Sequence, residues 1–563
     1  MADSLKSFIP QTRALSESEI DEPAHKKLRL DDDKEIDIDS GMEDTMASTS
    51  QPTKINGLAQ KSKKKNKKRR EAPLAELCSA ADVLYQEIRL ILGEDVVDGI
   101  TSEGGAFKSP YSRGDEVEVT IDRMSAGGSG IGLASKDKGP WTIVVPFALP
   151  GEKARVRIGK NDRMHSTGEV LGMLTYNPDL RDNSRIKCRY FGTCAGCQYQ
   201  MLSAETQLDF KKNVILNAYK TYSNLPETSI PTIDATVESP LVYGYRTKLT
   251  PHFERPPKHA REQALSSDEQ PSWLRIGFNM TNRNMTMDIE ECPIAVPTIN
   301  EKYKADRKEI AKKILTYKKG VSLMYRDSLD TTFDGQEMMT PPIDKLSEAF
   351  TKHVCVTDQN ATAREMVGDY IFEFSAGGFF QNNNAILPLL VDYVRGLIDS
   401  GEGIKHPTHL VDTYCGAGLF AITLSSRFEK VAGIELSQSS IASAKHNAIL
   451  NRISSDKLSF LSGQAANIFA TVKDFPSDQT VVVIDPPRKG CDEQFLKQLL
   501  DFRSQTVVYV SCNVHSQARD IGNIVRRTEE DGEGRRYRLE SLKGFDLFPQ
   551  TAHVESVALL RLY

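Results

Sequence analysis

The chain has 563 residues, room for about three or four domains of ~150 residues each. Hydrophobic residues make up 39 % and charged residues 26 %, which suits packed cores in water, and no apolar run reaches the about 18 residues of a membrane span. The net charge of -5 hides an acidic start followed by a dense basic block, and Met1 to Pro10 lacks the basic start and apolar stretch of a secretory signal.

Residues 1–75 are poor in apolar side chains and are expected to be a disordered tail. Asp31, Asp32, Asp33, Glu35, Asp37 and Asp39 crowd its first half. In Lys61 to Arg70, eight of ten residues are Lys or Arg, a pattern that reads as a nuclear address or a nucleic-acid patch. A nuclear and cytoplasmic protein is expected, with room for a mitochondrial pool. Residues 76–110 read as a helix and a linker: apolar spacing is helical over 76–95, and Thr101 to Arg113 is rich in Gly and Ser.

Residues 111–175 read as a small β-barrel. Glu116 to Ile121 alternates, Gly127, Gly128, Gly130 and Gly132 punctuate, and further short runs centre on Ile143, Val156 and Val170. Arg155, Arg157, Lys160 and Arg163 fall in one strand and its turn, giving an OB-like barrel a basic edge of the kind that binds RNA, with a plain structural barrel as the alternative.

Residues 176–370 form a central domain of mixed strand-like and helical stretches. Nine cysteines in an intracellular chain are not a disulfide framework. Cys188, Cys194 and Cys197 have the spacing C-x5-C-x2-C, close enough to seat a metal or an iron–sulfur cluster, with Cys292 as the fourth ligand on offer and four-cysteine zinc as the competitor.

Residues 371–563 alternate hydrophobic strand-like runs with helical segments, the pattern of an α/β, mainly parallel, doubly wound sheet. Ligands of such sheets bind at the carboxyl ends of strands. The turn Asp412-Thr413-Tyr414-Cys415-Gly416-Ala417-Gly418 follows the first run. Alone it also fits a dinucleotide-binding turn. The next strand ends at Glu435, where an acid can hold a ribose. The third ends in Asp485-Pro486-Pro487-Arg488, which a dehydrogenase does not need and a methyltransferase uses beside its target base. Enzymes that methylate exocyclic amines carry an aromatic where Arg488 stands, so that chemistry is disfavoured.

Cys512 lies just past the run Val507 to Val510, at the active rim of the sheet. A lone cysteine is commonly a small buried hydrophobe, but Ser511 and Asn513 beside this one favour a nucleophile. Carbon 5 of uracil is too poor a nucleophile to attack a sulfonium methyl unaided. A thiolate adding to carbon 6 makes carbon 5 enolate-like, and a base then removes the carbon 5 proton. Glu555, entering the last apolar strand, is the base candidate, with His553 as runner-up; a cap or salt-bridge role is the alternative.

At these residues the chain resembles the RNA (uracil-5-)-methyltransferase family, most closely its eukaryotic (fungal) tRNA members, over residues 111–563. The resemblance implies a class I, Rossmann-like catalytic domain, preceded by a TRAM barrel at 111–175 and a central α+β domain. It implies S-adenosylmethionine bound by Gln381, Tyr414, Glu435 and Asp485, with Phe379 against a flipped base, Cys512 as nucleophile and Glu555 as proton acceptor. Bacterial members read Ser-Cys-Asn-Pro where Val514 follows Asn513 here. The cytosine-directed cousins carry a second cysteine beside the aspartate-proline motif, which this chain lacks. Cys188, Cys194, Cys197 and Cys292 resemble the 4Fe–4S site of the ribosomal-RNA branch. The implied substrate is the T-loop uridine of tRNA, with ribosomal RNA or a non-catalytic RNA-binding and chaperone role as alternatives, and a monomeric enzyme free of membranes is expected.

Overall fold

The computed structural model describes residues 75–102, 108–261, 270–330, 332–333, 336–337, 352–400, 406–463, 469–530, 532 and 534–563. The chain divides into Met1–Arg70 and Glu71–Tyr563. The first unit, with its acidic run and its basic block, lies outside the described residues.

Two helices precede the barrel, α1 (Ala80–Leu92) and α2 (Glu94–Ser102), so helix extends past Gly93 into the expected linker. Ser79 caps α1 by accepting from the Asp82 N–H, and Gly93 ends it with φ 92°. The barrel has six strands: β1 (Glu116–Thr120), β2 (Arg123–Met124), β3 (Ser129–Leu133), β4 (Thr142–Pro146), β5 (Lys153–Asp162) and β6 (His165–Thr175). Their order is β1-β5-β6-β4-β3-β2, with β4 and β6 parallel. Ala154, Val156 and Ile158 of β5 point inward, and Ile88 of α1 and Val97 of α2 join the same core. The outward cations are partly neutralised: Lys153 pairs with Glu118, Arg157 with Glu116 and Lys160 with Asp162. Exposed pairs of this kind contribute ~0–1 kcal/mol each.

The central region opens with α3 (Ala204–Tyr222), which does not stay there. Its Val214, Ile215, Ala218 and Tyr219 pack into the flank of the catalytic sheet. Short strands follow: β7 (Lys248–Leu249), β8 (His252–Phe253), β9 (Ile276–Gly277), β10 (Val321–Ser322), β11 (Tyr325–Leu329), β12 (Thr332–Phe333), β13 (Gln336–Glu337) and β14 (His353–Val356). They make two three-stranded sheets, β10-β8-β9 and β14-β11-β7, and a two-stranded ladder of β12 and β13. The helices α4 (Lys258–Arg261) and α5 (Pro297–Lys313) complete the region. A hairpin of β15 (Thr362–Val367) and β16 (Tyr370–Ser375) pairs Val367 with Tyr370, so the chain does not break at 370. Phe372 and Phe374 belong to the catalytic core.

The catalytic domain is a seven-stranded sheet of β17 (His409–Thr413), β18 (Lys430–Glu435), β19 (Leu458–Ser462), β20 (Thr480–Ile484), β21 (Thr506–Ser511), β22 (Tyr537–Phe545) and β23 (Glu555–Leu562), in the order β19-β18-β17-β20-β21-β23-β22. Neighbours from β19 to β21 pair in parallel, and β23 is antiparallel to both β21 and β22. Burial on both faces explains the unbroken apolar runs of β20 and β21. One face is covered by α6 (Leu387–Asp399), α7 (Leu419–Thr423), α8 (Gln438–Leu450) and the hairpin. The other carries α3, α9 (Glu493–Phe502) and α10 (Val514–Glu530), with Cys78 and Val83 of the N-terminal segment.

Candidate active site

β17 lies between β18 and β20, the point where strand order reverses and where open α/β sheets bind ligands. Thr413 is level with Ile434 on one side and Ile484 on the other. The residues at that rim are therefore Tyr414, Glu435 and Asp485. Cys512 follows the last residue of β21, and Glu555 opens β23, whose Ser556 is paired with Ser511. Parallel register thus brings Tyr414, Glu435, Asp485 and Cys512 to one rim, and the antiparallel return of β23 delivers Glu555 to it.

The turn after β17 is shaped for a ligand. Tyr414 takes φ 61°, and Gly416 and Gly418 take 53° and 93°. The Gly416 N–H donates to the Glu435 carboxylate at 3.2 Å, while the other oxygen of Glu435 accepts from the Ser437 N–H at 2.8 Å. Asp412, fully buried, accepts from the Ala421 N–H at 2.8 Å, but its second oxygen has no partner among the described residues. Burial, with Asp485 and Glu435 nearby, raises its carboxyl well above the usual range. An orphaned polar atom beside a glycine turn is what a polar cofactor would satisfy. The sequence reading passed over Asp412, although its place in the same turn as Tyr414 was visible.

Around Cys512 the charges are coupled. Burial pushes the thiol up to about 12, Glu555 and Asp485 add to the rise, and the Arg488 guanidinium opposes it. Glu555 is 1 % exposed with one carboxylate oxygen unpartnered among the described residues. Burial and Asp485 raise it well above the carboxylate range. Burial also pushes Asp485 up to about 7. A negative charge on Asp485 opposes the ionisation of Glu555. The competing base goes the other way: burial and the charges of Arg488, Lys211 and Arg246 push His553 down to about 4. Its ring stays neutral and has the lower proton affinity of the two.

Gln381 and Phe379 sit on the loop that follows β16. Phe379 is 77 % exposed, an uncommon state for so large an apolar ring, while Phe380 beside it is buried and stacks on Phe374 at 4.3 Å. Buried Arg326 donates to the Gly378 carbonyl and the Asn382 side chain at 3.1 and 3.2 Å, and Lys248 donates to the Gly377 carbonyl at 2.8 Å. Asn383 donates to the Leu547 carbonyl at 3.0 Å, which ties the loop to the end of β22, where Phe545 pairs with Glu555. The loop carrying Gln381 and the strand carrying Glu555 are thus one connected unit.

Cys188, Cys194, Cys197 and Cys292 line one cavity of about 240 Å³, together with Arg246 and Thr551. Burial pushes the thiols of Cys197 and Cys292 up to about 12 and about 11, and neighbouring cysteines add to both shifts. Among the described residues, no group of three or more His, Cys, Asp or Glu side chains is arranged to hold a metal ion. The cavity touches the catalytic end of the fold: the N–H groups of Gln198 and Tyr199 both donate to the Gln550 carbonyl.

Comparison with known proteins adds to this geometry. Residues 307–562 match the family model described as tRNA (Uracil-5-)-methyltransferase, and residues 111–171 match the TRAM domain. The tRNA (uracil(54)-C(5))-methyltransferase of Schizosaccharomyces pombe is 40 % identical over 509 residues, covering 90 % of this chain and 88 % of that protein. The protein of the same name from Saccharomyces cerevisiae is 33 % identical over 544 residues, covering 89 % and 84 %. The crystal structure of Pyrococcus abyssi tRNA (uracil-54, C5)-methyltransferase in complex with S-adenosyl-L-homocysteine superposes with a TM-score of 0.54 at 21 % identity, covering 79 % of this chain and 100 % of that one, a likeness of fold.

Proposed function

The chain belongs to the tRNA (uracil-5-)-methyltransferase family, and from that premise we propose that it transfers the methyl group of S-adenosylmethionine to carbon 5 of uridine 54 in tRNA. The observation that carries the reading is the joint placement of Cys512, Glu555, Asp485 and Arg488 at one sheet rim. S-adenosylmethionine supplies an electrophilic methyl on a sulfonium. Gln381, Tyr414, Glu435 and Asp485 would hold and orient it, and the unpartnered oxygen of Asp412 and the glycine turn suit a polar ligand there.

Cys512 attacks carbon 6 of the uracil as a thiolate, forming a carbon–sulfur bond. Arg488 steadies that thiolate against the repulsion of the two carboxylates. Carbon 5, now enolate-like, takes the methyl group as the methyl–sulfonium bond breaks and S-adenosylhomocysteine leaves. Glu555 then accepts the carbon 5 proton, and the carbon–sulfur bond breaks to release 5-methyluridine and the thiolate. Exposed Phe379 is free to stack on an extruded base. The test is methyl transfer from labelled S-adenosylmethionine to tRNA and, separately, to ribosomal RNA. Wild type should give 5-methyluridine in tRNA, Cys512→Ala none, and Glu555→Gln at least about a hundredfold less. Transfer that survives Cys512→Ala would overturn the mechanism, and transfer to ribosomal RNA alone would overturn the substrate.

Cys188, Cys194, Cys197 and Cys292, in this proposal, hold a 4Fe–4S cluster. The shared cavity and the mutual repulsion of the thiols support it, because a cationic cluster relieves that repulsion. Protein purified without air should be brown and contain iron; an active, colourless, iron-free enzyme would refute it. The basic block at Lys61 to Arg70 serves as a nuclear address in an enzyme that also works in the cytoplasm, and its deletion should abolish nuclear accumulation by imaging. The working unit is a monomer, which light scattering checks.

A further inference from the structure

Cys512 is followed by Asn513, whose side-chain amide donates in two directions. It reaches the Arg488 carbonyl at 2.8 Å and the Cys78 carbonyl at 3.2 Å. The first contact joins the nucleophile loop to the loop carrying the thiolate's cation. The second comes from a segment 435 residues away in sequence, just before α1. That segment is held firmly. Cys78 is 4 % exposed and takes φ 64°, an uncommon conformation for a residue with a side chain. Its N–H donates to the Asp82 carboxylate at 2.8 Å. Asp82 is itself buried, and it also accepts from the Tyr222 hydroxyl at 2.9 Å and from the Gln86 amide at 3.3 Å. Tyr222 in turn meets the His515 ring edge to face at 5.5 Å, three residues past Cys512.

The far side of α1 reaches the second catalytic loop through the barrel. Glu87 accepts from the Ala126 N–H at 2.7 Å, in the turn between β2 and β3. Gly128 of the same turn lies so close to Ala552 that an added Cβ would stand 2.8 Å from its methyl carbon. Ala552 is three residues before Glu555. One short segment thus contacts the neighbour of the nucleophile at one end and, at the other, the barrel turn that packs against the approach to the base.

We propose that residues 78–87, which precede the barrel, belong to the catalytic assembly: Asp82 and Cys78 are positioning residues that hold Asn513, and through it the Cys512 and Arg488 loops, in the reacting arrangement. The proposal rests on the methyltransferase reading for its kinetic consequence. A carboxylate buried with three donors is costly in a helix that needs only to pack, and the bonds that satisfy it lead to Asn513.

The test uses the full chain and the variants Asp82→Ala, Asp82→Asn and Tyr222→Phe. Asp82→Ala should lower kcat for tRNA methylation about tenfold and leave KM for tRNA within about twofold, the mark of lost positioning. Asp82→Asn, whose amide oxygen still accepts from the Cys78 N–H, should recover most of kcat. Iodoacetamide should label Cys512 several times faster in Asp82→Ala, because a loosened loop uncovers the thiol, while the buried Cys415 and Cys491 stay unlabelled. Should Asp82→Ala not fold, Tyr222→Phe, which removes one hydroxyl, should still give a two- to fourfold fall in kcat (about the weight of one hydrogen bond). Wild-type kcat and wild-type labelling in a folded variant would overturn the proposal, as would a change in KM alone. A wild type that transfers no methyl group would sink the methyltransferase reading instead, and the labelling would still decide the positioning role.

Discussion

As the proposed nucleophile, Cys512 must react as a thiolate, yet its surroundings favour the thiol. Burial, Glu555 and Asp485 all push it up, to about 12, and only Arg488 opposes them. Because a thiol gives up its proton as pH rises, the reactive fraction in the free enzyme should grow about tenfold per pH unit well below that value. Iodoacetamide labelling of Cys512 should therefore climb from neutral pH upward without a plateau below about pH 10. Arg488→Met should lower the labelling rate at every pH, and a plateau near pH 8 would contradict this electrostatic picture. The rim positions of Cys512 and Glu555 were legible in the sequence because each adjoins an apolar run that forms a strand. The weight of Arg488 was not. In the sequence it stood out only for replacing an aromatic, and its effect on the thiol exists only once β20 and β21 lie side by side.

At the scale of elements, the crossing of α3 and α10 depends on one missing side chain. A Cβ at Gly522 would stand 1.9 Å from the Ser223 carbonyl oxygen, far inside contact distance, and that oxygen is backbone and cannot swing away. Gly522→Ala should force the helices apart and destabilise the protein by about 1–3 kcal/mol, read as a lower midpoint in urea unfolding. The strands β17, β18, β20 and β21 were readable from their apolar runs, since a strand buried on both faces must be apolar throughout. Four elements escaped that reading: α6, β19, α10 and β22. For α10 the reason is composition. It mixes Gln517, Arg519, Asp520 and Asn523 with its apolar residues, and Gln517 and Asp520 are buried because they bond to Tyr509, to the Ser556 carbonyl and to the Cys491 N–H. Polar residues buried by tertiary partners look like surface in a sequence.

Across the whole molecule, the regions read from sequence as separate share cores. Cys78, just before α1, and Val83 within it lie in the flank of the catalytic sheet while Ile88 lies in the barrel, and α3 packs on that sheet although it precedes the central strands. Residues 75–563 should therefore unfold in one calorimetric endotherm, and two separated endotherms for barrel and sheet would contradict the shared packing. Hydrophobic period and turn chemistry, written in neighbouring residues, made the α/β sheet, the barrel and the glycine turn after the sheet's first strand readable without the fold, and made Cys512 and Glu555 candidates. Tertiary structure alone decided which of Glu555 and His553 keeps a high proton affinity, that distant Cys292 lines one cavity with Cys188, Cys194 and Cys197, and that Cys78 bonds to the residue beside Cys512. Burial and through-space charge fix those outcomes, and both depend on which segments meet after the chain has folded.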